Sequence, residues 1–142
     1  MRKMKEYNLL VLLVDNDIAF FMCEDLFVTS KDLFGEMFSK TTTLGYMKPS
    51  EFINEFEQLQ KVYKENWLII LDIDLPNYNN YDVLKDLANN NANLNDIDVF
   101  ILTYPNTKIN IEHSNKFPCI KGYFSKPLLE DKIKEELGYL RL

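Results

Sequence analysis

Three short runs of almost uninterrupted apolar residues, each ending abruptly in polar ones, constrain the fold of this chain most. They cover residues 9–14 (LLVLLV, then DND), 67–71 (WLIIL, then DID) and 99–102 (VFIL, then TYP). Such runs are typical of parallel strands covered on both faces, because half-exposed strands alternate apolar and polar residues. A weaker run over 119–124 (CIKGYF, then SKP) and a threonine-rich stretch over 39–46 (SKTTTLGY) predict two further strands.

Helical patterns fill the intervals between these strands. The longest begins at Pro49, a residue favoured in the first turn of a helix. Its apolar stripe consists of Phe52, Ile53, Phe56, Leu59 and Val62. The five predicted helices cover residues 18–28, 49–64, 81–87, 108–115 and 129–140. Strands and helices therefore alternate, which is the pattern of an α/β protein built on a doubly wound, five-stranded parallel sheet.

Composition limits the classes of function. The chain has 142 residues, which suits one domain with one core. A formal net charge of −6, with no basic run, argues against direct nucleic-acid binding. No apolar run approaches the roughly 18 residues of a membrane span, so we expect no membrane partner and a cytoplasmic location.

Chemically capable side chains follow four of the five strands, and in such sheets ligands bind where the strands' carboxyl ends meet. These residues are Asp15 and Asn16 after the first strand, Asp72 and Asp74 after the third, Thr103 at the end of the fourth and Lys126 past the fifth. Converging carboxylates repel unless a cation lies between them, and oxygen ligands favour Mg²⁺. A lysine and a hydroxyl beside them would complete a site for phosphoryl transfer to a carboxylate.

Four segments resemble the receiver domains of bacterial response regulators. LIILDIDLPNYNNYDVL is similar to the family's phosphorylation segment, in which an aspartate stands four residues before a proline; Pro76 places that aspartate at Asp72. VLLVDND resembles the strand that ends in the family's acidic pair. FILT resembles the strand that ends in its Thr or Ser, and GYFSKP the segment that ends in its Lys-Pro. The segments follow the family's order over residues 9–127.

The resemblance implies a flavodoxin-like (βα)5 fold with strand order 2-1-3-4-5. It implies that residues 1–142 form a single receiver domain with no output domain. It also implies a signalling role rather than an enzymatic one, in which Asp72 accepts a phosphoryl group from a phosphohistidine. The donor would be a sensor histidine kinase or a phosphotransfer protein.

The resemblance also assigns a role to each matched position. Lys126 and Thr103 would assist transfer to Asp72, and Thr103 and Tyr123 would act as the switch. The Mg²⁺ ligands would be Asp15, Asn16, Asp72 and the main-chain carbonyl of Asp74. A downstream protein target would dock on the face formed by the helix over 108–115, the strand over 119–124 and the last helix. The same face could form a homodimer.

Three residues depart from the family's pattern. Asn16 stands where the second acid usually contacts the metal, and the lost charge predicts weaker Mg²⁺ binding. Asp74 adds negative charge beside the acceptor, and Tyr104 is bulky where a small residue is usual. Both predict slower approach of a phosphodonor or of water, and hence a phosphoryl-aspartate that forms reluctantly or lasts long.

Two other classes of protein stay open. Asn16 and Asp74 are compatible with a pseudo-receiver that takes no phosphate and acts only by binding. The sequence Asp72-Ile73-Asp74 after an apolar strand also resembles the first motif of haloacid dehalogenase-like phosphatases. Those enzymes normally open with this motif, whereas here an acid-ended strand precedes it.

Overall fold

A computed structural model describes residues 6–13, 41–72, 80–89, 96–103 and 117–125, with only the main chain of residues 80–82, 103 and 125. The five strands are β1 (Leu9–Leu13), β2 (Thr42–Tyr46), β3 (Trp67–Asp72), β4 (Ile97–Thr103) and β5 (Ile120–Ser125). The described helices are α1 (Pro49–Val62) and α2 (Asn80–Asn89). The helices predicted over 18–28, 108–115 and 129–140 lie outside these segments.

The five strands form one parallel sheet in the order β2-β1-β3-β4-β5, which confirms the predicted α/β flavodoxin-like topology. Every residue of the inner strands β1 and β3 is buried, as their continuous apolar runs predicted. The fourth strand begins two residues earlier than predicted, because Ile97 and Asp98 continue the pairing with β3. No helix in the described segments is long and apolar enough to cross a membrane.

Helix α1 packs its apolar stripe against the sheet. Phe52 and Phe56 are buried, and Ile53 and Leu59 are half-buried. Predicting Val62 as part of this stripe was wrong, since its side chain is 71% exposed. With 3.6 residues per turn, position 63 lies closer to the line through 52, 56 and 59, and Tyr63 packs on the core there.

Both described helices cover the same face of the sheet, here called the helix-covered face. Its core comprises Leu9, Val11, Leu13, Trp67, Ile69, Leu71, Ile97, Val99 and Ile101 from the sheet, with Val83, Leu84 and Leu87 from α2. Side chains on the opposite face are also buried, and Phe100 stacks on Phe124 there with ring centroids 4.7 Å apart. Because successive side chains of a strand alternate between faces, both cores draw on the same strands.

A buried polar pair links the segment before β1 to β4. The Tyr7 hydroxyl donates a 2.7 Å hydrogen bond to Oδ2 of Asp98, and both side chains are at most 2% exposed. Strand β3 lies between β1 and β4, so this bond spans a neighbouring strand. Burial, with the negative charge of Asp98, raises the pKa of Tyr7 far above its ordinary value and keeps the hydroxyl a neutral donor.

Cys119, just before β5, is a buried thiol, and its main-chain oxygen accepts a 2.8 Å hydrogen bond from the amide of Val99. Burial raises its pKa from 9.0 to about 11. The other cysteine, Cys23, lies outside the described segments.

Removing the Tyr7 hydroxyl should destabilise the fold. We expect Tyr7→Phe to lower the free energy of unfolding by about 1–3 kcal/mol, because a buried carboxylate loses a donor. Urea denaturation measures this change. Tyr63→Phe is the matched control, since the hydrogen bonds described for Tyr63 use its main chain; a loss as large in Tyr63→Phe would contradict the assigned role.

Stability should fall between pH 9 and pH 11, in part through Cys119. The folded-state pKa is raised, so in that interval the thiol ionises in the unfolded chain while it stays protonated in the folded one. The stabilisation is therefore complete below pH 9 and lost as pH rises. In urea denaturation, Cys119→Ala should show a shallower decline than the wild type over this interval. Parallel declines would show that the thiol does not contribute.

Candidate functional site

Asp72 ends the central strand β3 at the carboxyl edge of the sheet. The residue is 1% exposed, and Asp72 and Asp98 are the buried charged residues of the described segments. The five residues before it are apolar and buried, so Asp72 is the first ionisable group that β3 presents at this edge. Aspartate is seldom buried unless it is paired, hydrogen-bonded or bound to a cation, which marks this position for chemistry.

The register of the strands brings four strand ends to the level of Asp72. Asp72 pairs with Leu102 of β4, so Thr103 follows one residue beyond, and Ser125 of β5 pairs with Thr103. On the other side, Leu13 at the end of β1 pairs with Leu71. The main chain therefore confirms that the strands converge as predicted: β3 ends in Asp72, β4 ends in Thr103, and β1 and β5 lead into Asp15 and Lys126.

Several predicted site residues lie outside the described segments. They are Asp15, Asn16, Asp74 and Lys126, together with the neighbouring Tyr104. Thr103 is described by its main chain.

The predicted metal ligands can be judged by their chemistry. Within the described segments no group of three or more His, Cys, Asp or Glu side chains could hold a metal. The predicted ligand set spans Asp72 and residues beyond those segments, and all its donor atoms are oxygens. Such a set fits Mg²⁺, which takes one or two carboxylates and keeps several waters.

Tyr123 lies on β5, paired with Ile101 of β4. Its ring is half-buried and packs against the core of the helix-covered face. Asp72 alternates with Leu71, a member of that core, and so points to the opposite face. The structure thus places Tyr123 on β5, next to the strand that ends in Thr103, but on the face of the sheet opposite the Asp72 side chain.

A contact of Tyr46 at the carboxyl edge of the sheet was not predicted from the sequence. Tyr46 ends β2 at the carboxyl edge, and its hydroxyl donates a short hydrogen bond to Glu55 of α1. Its ring lies 5.4 Å from that of Phe52, and burial together with Glu55 raises the pKa of Tyr46 well above its ordinary value. The nine-residue interval between Tyr46 and Glu55 follows no helical or strand period, so no local pattern indicates this contact.

The sequence matches no protein-family model and no curated protein. Solved structures do match. A two-component response regulator from Cytophaga hutchinsonii is 16% identical with TM-score 0.71, and the alignment covers 96% of this chain and 98% of that one. The receiver domain of the Francisella response regulator 1452 is 21% identical with TM-score 0.62, with 96% and 97% covered.

A third similar structure is a complex. It contains the Saccharomyces cerevisiae histidine phosphotransfer protein Ypd1 and the receiver domain of its downstream response regulator Ssk1. That match has 15% identity, TM-score 0.62 and coverage of 95% of this chain and 89% of the other. Together these likenesses show that the chain has the fold of response regulator receiver domains.

Proposed function

We propose that the chain is a response regulator receiver domain that accepts a phosphoryl group on Asp72. The observation that carries the proposal is a buried carboxylate at the end of the central strand, level with the ends of β1, β4 and β5. In doubly wound sheets this edge is the ligand-binding edge. The receiver-domain fold, which extends over almost the whole chain, supports this proposal.

The reaction is transfer from a phosphohistidine to a carboxylate. An Oδ atom of Asp72 bonds to phosphorus as the bond from phosphorus to the donor's imidazole nitrogen breaks, and the imidazole leaves with that electron pair. Lys126 neutralises one phosphoryl oxygen, and Thr103 donates a hydrogen bond to another. Asp72, Asp15, Asn16 and the main-chain carbonyl of Asp74 would hold Mg²⁺, which would supply positive charge to neutralise further phosphoryl oxygens.

The proposed partners follow from this chemistry. The phosphodonor is a sensor histidine kinase or a phosphotransfer protein of the kind seen with the yeast receiver domain. Phosphorylation shifts Thr103 and Tyr123 and changes a protein-binding face read by a downstream target. The half-buried ring of Tyr123 supports this role, because its exposure can change without opening the core. The domain comprises residues 1–142 and acts in the cytoplasm.

Phosphorylation of Asp72 can be tested without the kinase. Incubation with acetyl phosphate and Mg²⁺ should add the mass of one phosphoryl group to the intact protein, and Asp72→Asn should add none. Asp98→Asn is the matched control, since it neutralises the other buried aspartate and keeps an oxygen to accept the Tyr7 hydrogen bond. It should still gain the mass.

The possible outcomes separate the classes of protein. A stoichiometric adduct that depends on Asp72 supports the receiver. Complete absence of an adduct in the folded wild type would contradict the proposal and favour a pseudo-receiver. Steady turnover of a phosphomonoester would indicate a phosphatase instead.

Asn16 should limit the affinity for Mg²⁺. We expect Asn16→Asp to lower the Kd for Mg²⁺ because it restores a carboxylate charge at the ligand position. Isothermal titration calorimetry measures the change. Asn66→Asp adds the same charge in the turn before β3, at the opposite end of that strand from Asp72, and should leave the Kd unchanged. Equal affinity in wild type and Asn16→Asp would refute the role given to Asn16.

A further inference from the structure

Strand β2 is one edge of the sheet and has main-chain groups that point away from it. In the described part of the chain β2 pairs with β1 alone. The amide of Thr42 donates a 3.1 Å hydrogen bond to Asn8, so Thr42 faces the β1 side. Main-chain groups of successive residues alternate in direction along a strand, so those of Thr43 and Gly45 point outward. Gly45 is exposed, and for glycine this means that the main chain itself is accessible.

The two edge strands differ in how they are protected. On β5 the register with β4 shifts between Val99 and Phe100, and the exposed Lys121 is the extra residue of this bulge. A bulge and a lysine are the usual protection of a sheet edge against pairing with another chain. Strand β2 has neither, because it pairs with β1 over five consecutive residues and its sequence TTLGY carries no charge.

We propose that β2 is a self-association edge, at which β2 of a second copy pairs antiparallel across a two-fold axis. Outward-facing residues must lie opposite each other, and of the registers that meet this condition one pairs all five residues of β2. Thr43 lies opposite Gly45 of the second copy, and each such pair exchanges two main-chain hydrogen bonds. Leu44 lies on the axis, opposite its own copy, in a position where the Cα atoms approach to about 4.5 Å. The sheet then continues from one copy into the other.

A second copy fits this edge because the residues of β2 can pair with the residues of β2 from another copy without a clash or a repulsion between charges. Leu44 is half-buried in the single chain, and meeting its counterpart would bury more of its apolar surface. Gly45 offers no side chain to hinder Thr43 opposite it. No charged residue within β2 meets a like charge, although the chain as a whole carries a net charge of −6. A two-fold axis with the same surface on both copies is the commonest symmetry of protein dimers.

This edge lies at the opposite side of the sheet from β5. It is therefore distinct from the face around β5 that the receiver function would use, and the inference does not depend on phosphorylation of Asp72. The dimer should form with Asp72→Asn as well as with the wild type.

Disulfide trapping tests the register. In the proposed dimer Leu44→Cys places two thiols directly opposite each other, within the Cα separation that a disulfide allows. Thr42→Cys is the matched control: residue 42 lies opposite Tyr46 of the second copy, so its two thiols are too far apart to join. Thr42 is also the more exposed of the two positions, so random collisions would favour it. With oxidised glutathione, Leu44→Cys should form a covalent dimer on a non-reducing gel, and Thr42→Cys and the wild type should not.

Sedimentation velocity over a range of concentrations provides an independent measurement. The wild type should dimerise, and Gly45→Pro should lose the dimer because proline removes an outward N–H while the bonds to β1 remain. Gly45→Ala keeps that N–H at a position without positive φ, and should still dimerise. A wild type that stays monomeric, or cross-linking of Thr42→Cys as fast as Leu44→Cys, would overturn the inference. So would dimerisation of folded Gly45→Pro with wild-type affinity.

Discussion

The structure depends on burying the inner strands β1 and β3 on both faces. Both strands are wholly apolar until their carboxyl ends, and removing such surface from water is the main favourable term in folding, about 25 cal/mol for each Å². A strand covered on both sides has no solvated face for an ionisable group. In β1 and β3, reactive polar side chains can therefore be accommodated only where the strands end, and Asp72 is the last residue of β3.

The two buried aspartates, Asp72 and Asp98, lie on the side of the sheet away from the helix-covered face, and they show how position decides the role of a carboxylate. Asp98 lies near the amino end of β4, where it accepts the Tyr7 hydrogen bond and ties the segment before β1 to a strand that is not its neighbour. Asp72 lies four residues further along in register, at the edge where ligands of such sheets bind. The first stabilises the fold, and the second is the candidate phosphoacceptor.

The edges of the sheet also differ in the roles for which their residues are suited. The carboxyl edge gathers the strand ends and is the candidate site of phosphoryl transfer. Strand β5 carries the half-buried Tyr123 and a bulge at Lys121, and the bulge and the lysine hinder pairing of this edge with a strand of another chain. Strand β2 is regular, uncharged and open in the described part of the chain, which suits it to a symmetric contact.

The sequence by itself determined the features that a local pattern encodes. These are the five strands, both of the described helices and the acidic residue that ends β3. It located Asp72 and Thr103 at strand ends because apolar runs stop where burial stops. The sequence also contained the correct stripe of α1, because a period of 3.6 residues places position 63 closer to it than Val62. Only the tertiary structure decided that Tyr7 donates to Asp98, since a bond between residues 91 apart has no period along the chain and depends on how the elements pack.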